Sequence, residues 1–232
     1  MFINGFDILW DEVDDYVADI QSIRSIDQFT FTKPVTFFCG ENGSGKSTLL
    51  EALAIKNGLN PEGGTRNYNF STYDSYSDLH NHMRLWRSRK PDWMYFLRAE
   101  SFYNVATKEM EYSGVFSERY HDQSHGQSFF SVLMKQTNKN GLYLLDEPEA
   151  ALSCQNQLAL LYLIQSCVKQ NCQFIIATHS PILLGLPGAQ ILSFDEGKVE
   201  EVDYKSTSSY QTMKLFLDRY DYFVKDIKEN DN

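Results

Sequence analysis

The stretch PVTFFCGENGSGKSTLLEALAIK, residues 34–56, decides the fold. It opens on a short apolar run bounded by Pro34 and Gly40, the mark of a buried strand. It closes on STLLEALAIK, residues 47–56, which has helical spacing and few breakers. Between them, Gly40-Glu41-Asn42-Gly43-Ser44-Gly45-Lys46-Ser47 fits the spacing G-x-x-x-x-G-K-[S/T]. Glycines let successive backbone N–H groups point into one hollow without Cβ clashes, and the following helix aims its positive end at the same place. An ordinary glycine-rich turn has no need of a strand before it and a helix after it. The loop therefore predicts a triphosphate site built from Asn42, Gly43, Ser44, Gly45, Lys46, Ser47 and Thr48. Lys46 reaches the β- and γ-phosphates, and the Ser47 hydroxyl ligates Mg²⁺.

A second run, GLYLLDE at residues 141–147, is an apolar strand ending in Asp146 and Glu147, with Pro148 next. A carboxylate at the carboxyl end of a parallel strand faces the crevice where such sheets bind ligands. Asp146 is expected to hold Mg²⁺, directly or through water, and Glu147 to orient and deprotonate an attacking water. Taken alone, two acids after an apolar run equally describe a strand entering a solvated turn, and the phosphate loop tips the balance.

The remaining pattern alternates strands and helices. Residues 155–169 read as a helix, 173–178 as a buried strand, 190–202 as a hairpin turning at Glu196-Gly197, and 208–219 as an amphipathic helix. Residues 78–90 read as a helix stopped by Pro91, 93–97 as a strand, and the last dozen residues as a charged end that frays. Near-continuous apolar strands between helices predict an α/β, three-layer fold with a mostly parallel sheet. No linker divides the chain, so residues 1–232 are expected to form a single domain, with residues 57–135 roughly an inserted lid.

Composition excludes several classes. The 31 acidic against 21 basic residues give a net charge of −10, which opposes unaided binding to phosphate backbones or anionic membranes. Cys39, Cys154, Cys167 and Cys172 form no CxxC pair and no zinc pattern, and read as reduced thiols of a cytoplasmic protein. No run approaches the length of apolar sequence that spans a bilayer, and the acidic first residues do not resemble a signal peptide. One basic window, NHMRLWRSRK at 81–90, holds Arg84, Arg87, Arg89 and Lys90 with Trp86, and Trp93 follows. It reads as a nucleic-acid surface, a partner-docking face or a solvated helix face. Arg98 belongs either to that surface or to the nucleotide site.

These motifs resemble the ATP-binding-cassette branch of the P-loop ATPases. Asp146-Glu147-Pro148-Glu149-Ala150-Ala151-Leu152-Ser153 is similar to the family's Walker B and D-loop run. Ser124-His125-Gly126-Gln127-Ser128 resembles its signature motif, and Thr178-His179-Ser180-Pro181 follows a strand as its switch histidine does. Ser124 precedes Asp146 by 22 residues and His179 follows it by 33, both spacings of the family. Within the branch, the chain resembles the soluble AAA-type ATPases of the SMC/RecF-like kind. The 77 residues from Ser47 to Ser124 show no heptads, so it looks like a compact version without a coiled coil.

The resemblance implies ATP and Mg²⁺ as cofactors, hydrolysis to ADP and phosphate, and Glu147, His179 and Lys46 as the catalytic set. It also implies an ATP-dependent homodimer. ATP on one copy's loop would be capped by Ser124, Gly126 and Gln127 of the other, with His179 on the γ-phosphate from its own copy. The partner that hydrolysis serves is unidentified. A membrane permease, with this chain as its nucleotide-binding subunit, and DNA, with the chain as a repair or defence ATPase, are the alternatives, beside an ATP-gated clamp with negligible turnover. The sequence departs from the family at Gln123 and His125, where its signature has leucine and the first glycine, and at Ser153, where its D-loop has aspartate. Glu100 stands nearest the place of the lid glutamine, no tyrosine stands out for adenine stacking, and Arg24 on a strand-like segment is a further nucleotide contact to weigh.

Overall fold

The computed structural model describes residues 1–13, 15–65, 76–99, 133–134, 137 and 140–230. Along the chain run β1 (Ile3–Ile8), α1 (Gln21–Arg24), β2 (Gln28–Thr30), β3 (Val35–Cys39), α2 (Lys46–Lys56), α3 (Leu79–His82), β4 (Met83–Arg87) and β5 (Trp93–Arg98). They are followed by β6 (Gly141–Asp146), α4 (Cys154–Val168), β7 (Gln173–Ala177), α5 (Pro181–Leu184), β8 (Gln190–Ser193), β9 (Glu200–Glu201), α6 (Ser208–Asp218) and α7 (Tyr220–Asn230).

Six strands form one sheet in the order β5-β6-β7-β3-β8-β9, and every pair is parallel except β8 with β9. β3 lies inside it, with Phe37 opposite Ile176 on one side and Ile191 on the other. The apolar runs are continuous because both faces are covered. Phe38, Leu144 and Ile175 turn to one face, where they pack with Leu49, Leu50 and Leu53 of α2 and with Phe6 and Phe31. Phe37, Leu145 and Ile176 turn to the other, against Leu160 and Ile164 of α4. A three-stranded antiparallel sheet, β2-β1-β4, shares the first core with α2. The result is the three-layer α/β architecture with a mostly parallel sheet that the strand pattern predicts.

Two buried glutamines join the sheets. The Gln173 side chain at the start of β7 accepts from the N–H groups of Phe2 (2.6 Å) and Ile3 (3.0 Å) and donates to the Ile3 carbonyl (2.8 Å). Gln190 at the start of β8 accepts from the Thr32 N–H at 3.1 Å and donates to Glu201 at 2.9 Å. Gln173 thereby satisfies polar groups of the buried Phe2 and Ile3 that would otherwise be left unpaired where the layers meet.

Several elements differ from expectation. The helix expected over 78–90 is a single turn at Leu79–His82, after which the chain extends as β4 and pairs with β1, Leu85 opposite Phe6. Packing of Leu85 against the first core overrides the local helical pattern. β4 and β5 both fall inside 57–135, the interval expected as a lid, and each belongs to a sheet. Arg24 lies on α1, not on a strand, with its guanidinium 4.7 Å from the Trp10 ring centre. A helix over Tyr220–Asn230 takes in most of the last dozen residues, the end expected to fray.

The Phe38 ring is fully buried, 5.2 Å from that of Phe194. Phe38→Ala should cost about 3–5 kcal/mol, measured as a lower urea midpoint at unchanged m; a loss below ~1 kcal/mol contradicts this packing. The cysteines are free thiols; Cys154 is exposed and the other three are buried. Burial, helped by the charge of Asp195, pushes the Cys39 thiol up to about 12. A folded value above the unfolded one means stability that is complete below the unfolded value and is lost as pH rises toward the folded one. At pH 8 a maleimide should therefore label Cys154 quickly and leave Cys39 intact until the chain unfolds, as peptide mass spectrometry would show.

Candidate functional site

β3 hands the chain to Gly40 at the carboxyl edge of the parallel sheet, and the loop that follows is left-handed at Gly40 (φ +136°), Gly43 (+76°) and Gly45 (+94°). Gly45 has no alternative: a Cβ there would stand 2.7 Å from Ile23 Cγ1 and 2.9 Å from Ile20 Cγ2. Ser22 donates its hydroxyl to the Ser44 carbonyl, bracing the loop from α1. Lys46 opens α2, only 3% exposed. Its ammonium donates to the carbonyls of Gly40 (2.9 Å) and Glu41 (2.6 Å) and to Ser44 Oγ (3.3 Å). Burial holds the Lys46 pKa below its ordinary value, and the charges of Glu147, Asp195 and Asp146 oppose that shift.

The next residue reaches across the sheet. Ser47 Oγ donates to Asp146 Oδ1 at 2.8 Å, joining the loop to the end of β6. Glu147 follows in a left-handed conformation (φ 49°), its N–H donating to the Ala177 carbonyl at the end of β7. That turn leaves its carboxylate partly in solvent, 41% exposed. His179 stands two residues past β7 with Nε2 3.6 Å from Glu147 Oε1, close for a charge contact but beyond hydrogen-bond length. Its N–H donates to Glu149 Oε1 at 2.5 Å. Ser180 caps α5 and donates to Gln157 Oε1 at 2.6 Å, so the His179 loop is held from α4 as well. Lys46, Ser47, Asp146, Glu147 and His179 thus converge at the ends of β3, β6 and β7. Ser124, Gly126, Gln127, His125 and Glu100 lie outside the described residues.

Ser47 Oγ and Asp146 Oδ1 are hard oxygen donors at hydrogen-bond separation. This suits Mg²⁺, which keeps much of its hydration and takes one or two carboxylates. Among the described residues no group of three or more His, Cys, Asp or Glu could cage a metal. A cleft of about 840 Å³ flanks the loop, lined by residues that include Ser22, Asn42, Gly43 and Asp195. Its size lies in the range of small-molecule sites.

Sequence reasoning missed two neighbours of the site, Asp195 and Tyr16, and left a third, Arg98, with two readings. Asp195, past the end of β8, accepts from the Glu41 N–H at 2.9 Å and from Ser193 Oγ at 2.9 Å. The signal was available, an acid just after an apolar strand, as at Asp146. Arg98 ends β5 in register with Asp146, which resolves its two readings in favour of the site. Tyr16, half exposed, has its hydroxyl beside the Thr48 and Ser77 side chains; burial, then the nearby Glu51 charge, raise its pKa. No local pattern marks it. The basic window lies on β4 and the turn after it, with Arg84, Arg87, Arg89 and Lys90 all exposed and three of them also in contact with the fold. Arg84 pairs with Asp7 at 3.0 Å, Arg87 donates to the Lys56 carbonyl at 3.0 Å, and Arg89 stands 4.5 Å over the Phe2 ring.

Residues 18–80 match the AAA domain family and residues 125–184 the AAA ATPase domain family. The chain is 27% identical over 196 residues to an uncharacterised ABC transporter ATP-binding protein of Haemophilus influenzae, covering 73% of each. It superposes on an SMC head domain from Thermotoga maritima with TM-score 0.47 at 13% identity, over 87% of this chain and 98% of that one. A component of an ABC transporter complex from Clostridium perfringens gives TM-score 0.49 at 17% identity, over 97% and 100%. Among the described residues no helix is long and apolar enough to cross a membrane. With a phosphate loop on β3, an acidic pair ending β6 and a histidine after β7, matched by AAA-type domains over 18–80 and 125–184 and by an ATP-binding-cassette relative, the chain is similar to the ABC-type P-loop ATPases.

Proposed function

We propose that the chain hydrolyses Mg·ATP to ADP and phosphate at a site completed by a second copy, with residues 1–232 acting as one ATPase domain. The observation that carries this reading is the 2.8 Å contact of Ser47 with Asp146, which sets the loop beside Glu147 and His179. Backbone N–H groups from Asn42 to Thr48 hold the phosphates, and Lys46 exchanges the Gly40 and Glu41 carbonyls for β- and γ-phosphate oxygens. Ser47 and Asp146 would hold Mg²⁺, which would supply positive charge to offset that of the phosphates. Glu147 orients a water and takes its proton as the water oxygen bonds the γ-phosphorus and the bond to the bridging oxygen breaks. His179, its backbone fixed by Glu149, donates to the γ-phosphate. Ser124, Gly126 and Gln127 of the second copy supply hydroxyl, backbone and amide groups to the same phosphate. The exposed Tyr16 ring beside Thr48 offers the base a stacking face.

The Haemophilus influenzae relative, described as an ABC transporter ATP-binding protein, favours a separate membrane permease as partner. Co-purification with a membrane protein, and none with DNA, is the outcome this predicts. Four free thiols fit a reducing, cytoplasmic setting.

Glu147→Gln should bind Mg·ATP normally, lose turnover by about a hundredfold or more, and accumulate as a dimer in size-exclusion chromatography with ATP. Turnover at the wild-type rate would remove Glu147 from the role of base. Lys46→Ala should abolish the heat of Mg·ATP binding in calorimetry. Tyr16→Ala should raise KM roughly tenfold with kcat little changed, the loss expected of one stacked base.

A further inference from the structure

Arg98 stands between two carboxylates that belong to different parts of the site. Glu51 lies on α2, one turn beyond Ser47, and Asp146 ends β6. Both acids are largely buried, with side chains 13% and 8% exposed against 24% for Arg98. Two such acids close together need a cation, since neighbouring carboxylates in a poorly solvated site do not readily both stay charged. Burial raises the Glu51 pKa and the Arg98 charge opposes that rise.

The two contacts are unequal. Arg98 Nη1 meets Glu51 Oε2 at 2.5 Å and also donates to the Pro61 carbonyl at 3.3 Å. Its Nε stands 3.5 Å from Asp146 Oδ2, beyond ordinary N–H···O length. Arg98 is thus anchored to the α2 side by a short charge-assisted bond and lends Asp146 its charge without gripping it. A strut built only to hold β6 would grip both acids alike.

We infer that Arg98 is a positioning residue that serves as the resident counter-ion of Asp146, competing with the divalent cation so that metal enters together with the triphosphate rather than alone. This rests on the reading of Asp146 as the metal carboxylate. When metal arrives, the guanidinium keeps its bonds to Glu51 and Pro61 and need not leave the site. When metal departs with product, the same charge is in place to neutralise Asp146 again. Arginine suits the role because it stays protonated at any working pH.

The test is Mn²⁺ binding by electron paramagnetic resonance, alone and with a non-hydrolysable ATP analogue. Arg98→Gln keeps the size and a donor for Glu51 but removes the charge. It should bind Mn²⁺ about fivefold more tightly than wild type, most visibly without nucleotide, and Arg98→Lys should restore wild-type affinity. Arg84→Gln removes an equal charge from the distant pair with Asp7 and should change nothing. Glu51→Gln loosens the anchor, lets the guanidinium close on Asp146, and should weaken Mn²⁺ binding about threefold. Unchanged or weaker binding by a cooperatively melting Arg98→Gln chain overturns the inference. If that variant does not fold, Glu51→Gln binding as tightly as wild type overturns it instead. Wild-type protein that takes up no Mn²⁺ with the analogue would instead sink the proposed function itself.

Discussion

The hydroxyl of Ser47 meets the carboxylate of Asp146 across 99 residues of chain, and the rest of the site depends on that meeting. Neither group could reach the other unless β3 and β6 lay in one sheet at matching height, with β7 between them. Parallel pairing supplies this, because every strand of the crossover series delivers its carboxyl end to the same edge. The edge then gathers the five candidate side chains, Lys46, Ser47, Asp146, Glu147 and His179, from three strand ends. Burial on both faces makes the arrangement stiff: Phe37 and Phe38 face opposite cores, so β3 cannot rotate or slip by one residue without placing each ring on the wrong side.

The site also carries conformations and charges that a stable fold would otherwise avoid. Glu147 is left-handed without being glycine, and Lys46 keeps its ammonium among carbonyls at a cost visible in its lowered pKa. Such features persist where the surroundings over-determine them. The bond from the Glu147 N–H to Ala177 fixes the first, and the converging acids offset the second. Both leave a group turned toward the crevice rather than into the core.

The parts legible in the sequence are those whose signal is local. An apolar run, a glycine-spaced loop and a helix adjoin one another at residues 34–56, so the loop could be read without any long-range information. The same holds for the runs ending at Asp146 and before His179. What was not legible depends on contacts between distant residues. β4 looked like a helix because its Met83, Leu85 and Trp86 suit either period, and only pairing with β1 decides between them. The arginines of the same stretch are exposed, as a surface reading requires, but their contacts with Asp7, the Lys56 carbonyl and the Phe2 ring come from distant parts of the chain. Tyr16 could not be found from its own neighbours in an acidic, aperiodic segment, because what gives it meaning is Thr48, brought near by the fold.

The amide of Gln173 has a consequence for how the outer layer is indexed to the inner one. It takes two N–H groups from Phe2 and Ile3, where β1 begins, and returns one N–H to the Ile3 carbonyl. A slip of the antiparallel sheet by one residue would strand those donors in an apolar seam, at roughly 1–3 kcal/mol each. β1 is therefore keyed to the strand that ends just before His179, as a tooth fits a single notch. Moving β1 along its own axis would have to break the Gln173 contacts first, so the placement of the outer layer is tied to the strand that leads to His179.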